Sequence, residues 1–89
     1  MTHDDVSSEL LRETILRLAA ARGFGKTICP SEVARSIQPE NWRPLMPSVR
    51  EAAAVLQGAG AIVVTQSGQH ADPLTVRGPI RIGIAESSE

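Results

Sequence analysis

Before Gly58 the apolar residues recur every three or four positions, and after Gly60 they become β-branched and alternate. That change of period sets the fold class. A chain that is helical for its first two-thirds and extended for its last third has to bring its helices onto a small sheet. At 100° per residue, Val6, Leu10, Leu11, Thr14, Ile15, Leu18 and Ala19 share one broad face, with Glu9, Arg12, Glu13 and Arg17 opposite. This predicts a first helix starting near Thr2 to Asp5, where the two residues resemble a capping box, and stopping at Gly23. Leu16 falls off the stripe, as a lone exposed leucine or a contact for a partner.

A second helix is expected over Pro30 to Ile37, with Pro30 in the first turn, where its missing N–H costs nothing, and Val33, Ala34 and Ile37 on one side. A third spans about Trp42 to Gln57. Pro44 and Pro47 separate or kink its first turn, and Leu45, Met46, Val49, Ala52, Ala53 and Leu56 point inward. Gly58-Ala59-Gly60 closes it. Ile62-Val-Val-Thr65 and Ile80-Arg-Ile-Gly-Ile84 read as two strands joined by a loop of about a dozen residues, with Thr27-Ile28 available as a further strand. Alternation sends Ile80, Ile82 and Ile84 to one face and Arg81 to the other.

This order of elements predicts an α+β fold of the winged-helix kind: a three-helix helix-turn-helix core with a C-terminal β-hairpin wing. Residues 1–89 form a single domain with a core over about 6–84 and short flexible ends. A chain of 89 residues buries only about 60 to 65% of its unfolded surface, enough for one thin core but not for a core and a deep catalytic cleft. The stretches Ile28-Cys-Pro-Ser-Glu-Val-Ala-Arg35, Trp42-Arg-Pro-Leu-Met-Pro-Ser-Val-Arg-Glu-Ala-Ala-Ala54 and Arg77-Gly-Pro-Ile-Arg-Ile82 resemble a family of small bacterial proteins, domain-of-unknown-function family 3253. The resemblance covers about residues 6 to 84 and implies a winged-helix fold. It implies no activity and transfers no functional residue.

Motifs that would carry chemistry have simpler explanations. Ala20-Ala-Arg-Gly-Phe-Gly-Lys-Thr27 has the outline of a phosphate-binding loop, but it follows a helix where such a loop follows a strand, and a helix stop accounts for its glycines. Phe24 is expected to plug the core beneath that turn. Cys29, the sole cysteine, precedes a helix start, where a thiol can be activated, but a small cap or core residue is the favoured account. His3 and His70 are far apart, and no cluster has metal-ligand spacing. The expectations are therefore no catalytic residue, no metal and no cofactor, and a chain that is not an enzyme. With no apolar run of about 18 residues and no signal-like start, it is expected to be cytoplasmic and off the membrane.

Nucleic acid is the remaining ligand class. The whole chain carries −1, but residues 23–85 hold six bases against four acids, a net of +2. Trp42 and Phe24 are the only aromatics, too few for stacking on single strands, so the candidate is duplex DNA. Arg43 and Arg50 on the third helix and Arg77 and Arg81 on the hairpin are the candidate phosphate contacts, consistent with a transcription-regulatory role. Few contacts imply weak binding unless the domain forms a homodimer. Against this, Pro47, Glu51 and Ala54 on the same helix offer few donors, and Arg81 could pair with Asp72 instead. Trp42 is expected to anchor the third helix against its neighbours. The alternative is a protein–protein interaction module without nucleic-acid binding.

Overall fold

The computed structural model describes residues 6–85. Three helices, α1 (Ser8–Arg22), α2 (Pro30–Ile37) and α3 (Met46–Gly58), precede three strands, β1 (Ile62–Gln66), β2 (Gln69–His70) and β3 (Arg81–Ile84). The fold is α+β. A 3-10 turn at Arg43–Leu45 leads into α3, as the two prolines required: the first turn of the expected third helix is separate from the rest.

The Oγ of Ser7 accepts the N–H of Leu10 at 3.0 Å and caps α1. The capping box expected at Thr2 and Asp5 lies outside the described residues, and α1 begins at Ser8. Its buried stripe is Leu11, Thr14, Ile15 and Ala19. Leu10, expected inside, is 41% exposed. Thr14 is buried without an orphaned hydroxyl, because its Oγ1 donates to the carbonyl of Leu10 at 2.8 Å. Leu16 is not a lone exposed leucine: it packs, half-buried, against the core, and so does Leu18. The N–H of Gly23 closes α1 on Ala19 at a φ of 100°, a value other residues rarely adopt. Phe24, expected in the core, is 63% exposed, because the turn after Gly23 swings it outward.

The strands depart from the expected hairpin. Ser67 and Gly68, with φ of 53° and 83°, make a tight two-residue turn, and β2 returns antiparallel along β1 with Thr65 opposite His70. The following loop, 71–80, carries the chain round to the other edge of β1, where β3 pairs antiparallel from Ile62↔Ile84 to Thr65↔Arg81. The sheet order is β2-β1-β3. The long segment is thus a crossing between sheet edges, and the hairpin tip is short. Beyond β3, Ile28 exchanges both backbone hydrogen bonds with Ile82, at 2.7 and 2.8 Å. The expected contribution of Thr27-Ile28 to the sheet is a single bridge that covers the β3 edge.

One core joins the layers: Leu11, Ile15 and Ala19 of α1, Val33 and Ala34 of α2, and Val49, Ala52, Ala53 and Leu56 of α3 meet Ile28, Ile62, Val64, Ile80 and Ile82. Ile84 is half-buried and Arg81 exposed, so the alternation read from the sequence holds. On the outer face of the sheet, Gly83 sits where a Cβ would lie 3.2 Å from the carbonyl oxygen of Lys26. The close passage of the 26–28 segment therefore calls for glycine there.

Candidate nucleic-acid interface

The four candidate arginines fall into different environments. Arg50, on α3, faces the crossing loop: its Nη1 donates to the carbonyls of Pro73 and Val76 at 3.0 and 3.1 Å, and its Nη2 to that of Gly78 at 2.6 Å. One guanidinium thus gathers three carbonyls that no strand or helix satisfies. The same loop turns on Asp72, whose Oδ1 accepts the N–H of Leu74 at 2.9 Å. Gln66 of β1 holds the other side, its Nε2 donating to the carbonyls of Arg77 and Pro79 at 2.6 and 3.2 Å. The loop is fixed between α3 and β1, and the side chain of Arg77 is exposed on it.

Arg43, exposed in the 3-10 turn, lies over the ring of Trp42 with its guanidinium carbon 4.6 Å from the ring centroid. Arg35, on α2, lies over the same ring at the same distance. Trp42 packs half-buried against the core, as expected of an anchor, and also carries two cations. Arg35 was missing from the sequence-derived set. The clue was available only in part: an arginine in the last turn of α2 lies seven positions before Trp42 and eight before Arg43, but nothing in that spacing says that they meet.

Arg81 belongs elsewhere. Its Nε donates to Thr27 Oγ1 at 2.8 Å and its Nη2 to the Thr27 carbonyl at 3.2 Å, so the pairing considered with Asp72 does not form. Arg22 Nη1 donates to the same carbonyl at 2.9 Å and its Nη2 meets Glu32 Oε1 at 2.6 Å. The other carboxylate oxygen of Glu32 accepts the backbone N–H of Cys29 at 3.0 Å, capping α2. That backbone donor, and then Arg22 and Arg81, hold the Glu32 carboxyl below its ordinary range, against the opposing pull of burial. The cluster binds the end of α1, the 26–28 segment, α2 and β3 into one corner. Arg81 there serves the fold.

The exposed positions of α3 are Pro47, Glu51, Val55 and Gly58, none of which offers a hydrogen-bond donor from its side chain, and half-buried Ser48 adds one hydroxyl. Cys29 is half-buried with Ser31 Oγ donating to its sulfur at 3.2 Å. The stretch resembling a phosphate loop is the last turn of α1 followed by a turn, with no strand before it. Among the described residues, no three His, Cys, Asp or Glu side chains come together to hold a metal ion, and no helix is long and apolar enough to cross a membrane.

The sequence pattern of the family described as Protein of unknown function (DUF3253) matches residues 8–85. The chain belongs to that family. The match to DUF3253 runs from the first residue of α1 to just past the end of β3, so it takes in both arginine clusters and the crossing loop. Within it, the three DUF3253-like stretches do separate structural work: Cys-Pro-Ser-Glu caps α2, Trp-Arg forms the ring and cation at the entry to α3, and Arg-Gly-Pro-Ile-Arg supplies the Gly78 carbonyl to Arg50 and the Arg81 guanidinium to Thr27. No curated protein matches the chain.

Proposed function

We propose that this chain is a winged-helix domain that binds duplex DNA through its phosphates, with α3 toward the groove and the crossing loop beside it as part of the wing. The observation that carries this reading is the joint at Arg50. By drawing three loop carbonyls onto α3, it fixes the segment bearing Arg77 to the helix that bears Arg50 and follows Arg43. Arg43 stands in the 3-10 turn that leads directly into α3, so it lies at the entry of the helix that carries Arg50. Arg43 and Arg77 are then the phosphate contacts, Arg50 adds charge and holds the geometry, and Arg81 positions the corner behind them. With the Arg50 guanidinium engaged by loop carbonyls and the half-buried Ser48 hydroxyl as the further donor beside the exposed positions of α3, few groups are placed to read base edges, and recognition rests on backbone and shape, with low sequence preference. A homodimer would double the contacts.

The test is fluorescence anisotropy of a labelled duplex at low salt with the full chain. Binding that weakens at least tenfold in an R43Q/R77Q double variant supports the reading. Absence of binding at tens of micromolar protein overturns it.

A second reading, a protein–protein interaction module, is favoured by one observation: the exposed Phe24 borders an open apolar groove with Gly25, Val63 and Ile84. Sedimentation of the chain beside an F24S variant tests for self-association. A monomer at all concentrations in both counts against a homodimer formed through this surface.

A further inference from the structure

We infer that Arg35, Trp42 and Arg43 form a phosphate clamp, in which one indole ring holds two guanidinium groups ready for neighbouring phosphates of a nucleic-acid strand. The inference deepens the duplex-binding reading and rests on it for the source of the phosphates. Both guanidinium carbons lie 4.6 Å from the centroid of the same ring, so they are no more than about 9 Å apart. Two like charges so close repel each other. The electron-rich π system of the indole offsets part of that repulsion, and among the described residues neither guanidinium forms an ion pair. Glu40 is exposed in the connecting segment but pairs with neither. Negative charge brought beside the two guanidinium groups, as two neighbouring phosphates would bring it, relieves the remaining repulsion.

The placement suits a ligand from solvent. Arg35 and Arg43 are exposed, while Trp42 is anchored against the core. A guanidinium held over a ring by cation–π attraction spends none of its N–H groups on a hydrogen bond to that ring's edge, leaving them for two oxygens of a phosphate. Stacking also restricts two long side chains before binding, which reduces the ordering cost when the ligand arrives. The two cations come from α2 and from the entry to α3, so the clamp spans the connection between those helices and is set at the start of the helix that the duplex-binding reading turns toward the groove.

Trp42 is the only tryptophan in the chain, so its emission reports on this site alone. The experiment titrates the full chain with a short labelled duplex and, separately, with inorganic pyrophosphate, following Trp42 emission and duplex anisotropy. Wild type is compared with R35Q and R43Q, and circular dichroism verifies that each variant is folded. The clamp predicts a saturable change in Trp42 emission with the duplex, a five- to tenfold loss of affinity in each variant, and a salt slope shallower by about 0.9 for each phosphate contact removed. Duplex binding with unchanged Trp42 emission and full affinity in R35Q overturns the clamp and leaves the duplex reading standing. A pyrophosphate response that disappears in the variants, without duplex binding, supports the clamp as a site for free phosphates and overturns the duplex reading. No response to either ligand overturns both.

Discussion

Arg50 on α3 and Gly78 on the crossing loop are joined at 2.6 Å across 28 residues of sequence. With the bonds to Pro73 and Val76, this contact gives the 71–80 segment its only charged anchor among the described side-chain hydrogen bonds. R50A therefore leaves three carbonyls to water and is expected to cost about 2 kcal/mol, lowering Tm by roughly 8–16 °C. R50K restores the charge but not the fork that reaches three acceptors, so it recovers less than half of the loss. Urea denaturation checks both variants, and faster hydrogen exchange in the loop than in α1 would locate the effect.

The pH dependence of stability has a named contributor in Glu32. Its carboxyl is held below its ordinary range in the folded chain, mainly by the Cys29 N–H and then by Arg22. The contribution is therefore fully present above the unfolded pKa and is lost as pH falls through the lower, folded value. In E32Q that loss on acidification disappears, and the wild-type and variant stability curves converge toward low pH. Thermal melts from pH 7 down to pH 3 would show it. Parallel curves would place the acid sensitivity elsewhere.

Gly83 allows the 26–28 segment to lie against the sheet. A Cβ there would sit 3.2 Å from the Lys26 carbonyl and 3.5 Å from the Thr27 methyl carbon, so G83A requires a shift of a few tenths of an ångström and G83V a larger one. G83V is expected to cost about 1–3 kcal/mol by crowding. It should also weaken the Ile28–Ile82 bridge, measurable as faster exchange of those two amides.

The width of the α1 stripe can be measured by truncation. Ile15 is fully buried, whereas Leu10 is 41% exposed. I15A should destabilise by about 2–5 kcal/mol, and L10A by less than about 1 kcal/mol. Equal losses in chemical denaturation would mean that the helix is rotated from the orientation described.

Much of this architecture was legible because it follows from local rules. Pro30 starts α2, Gly23 ends α1, and two prolines break the entry to α3; each acts through its own backbone, so sequence alone places it. The sheet was harder to read. The two polar residues Gln69 and His70 gave no strand signal, and their pairing with β1 depends on the geometry of the Ser67-Gly68 turn. Phe24 was misplaced because apolar character says that a ring prefers burial, whereas the direction of a turn decides whether it finds a neighbour. The site was the least legible. Outward arginines can be read from a helical wheel, but the loop carbonyls that receive Arg50, the threonine that receives Arg81 and the second cation on Trp42 are all contacts across the fold.

The salt dependence of duplex binding tests the central claim most directly. Two to four arginines on phosphates predict that log K falls linearly with log salt concentration at a slope of about −2 to −4, reduced by about 0.9 in R77Q, with little change when the duplex sequence is permuted. A slope near zero, or a slope unaltered in R77Q, would contradict the assignment of the α3 and crossing-loop surface as a phosphate-binding face.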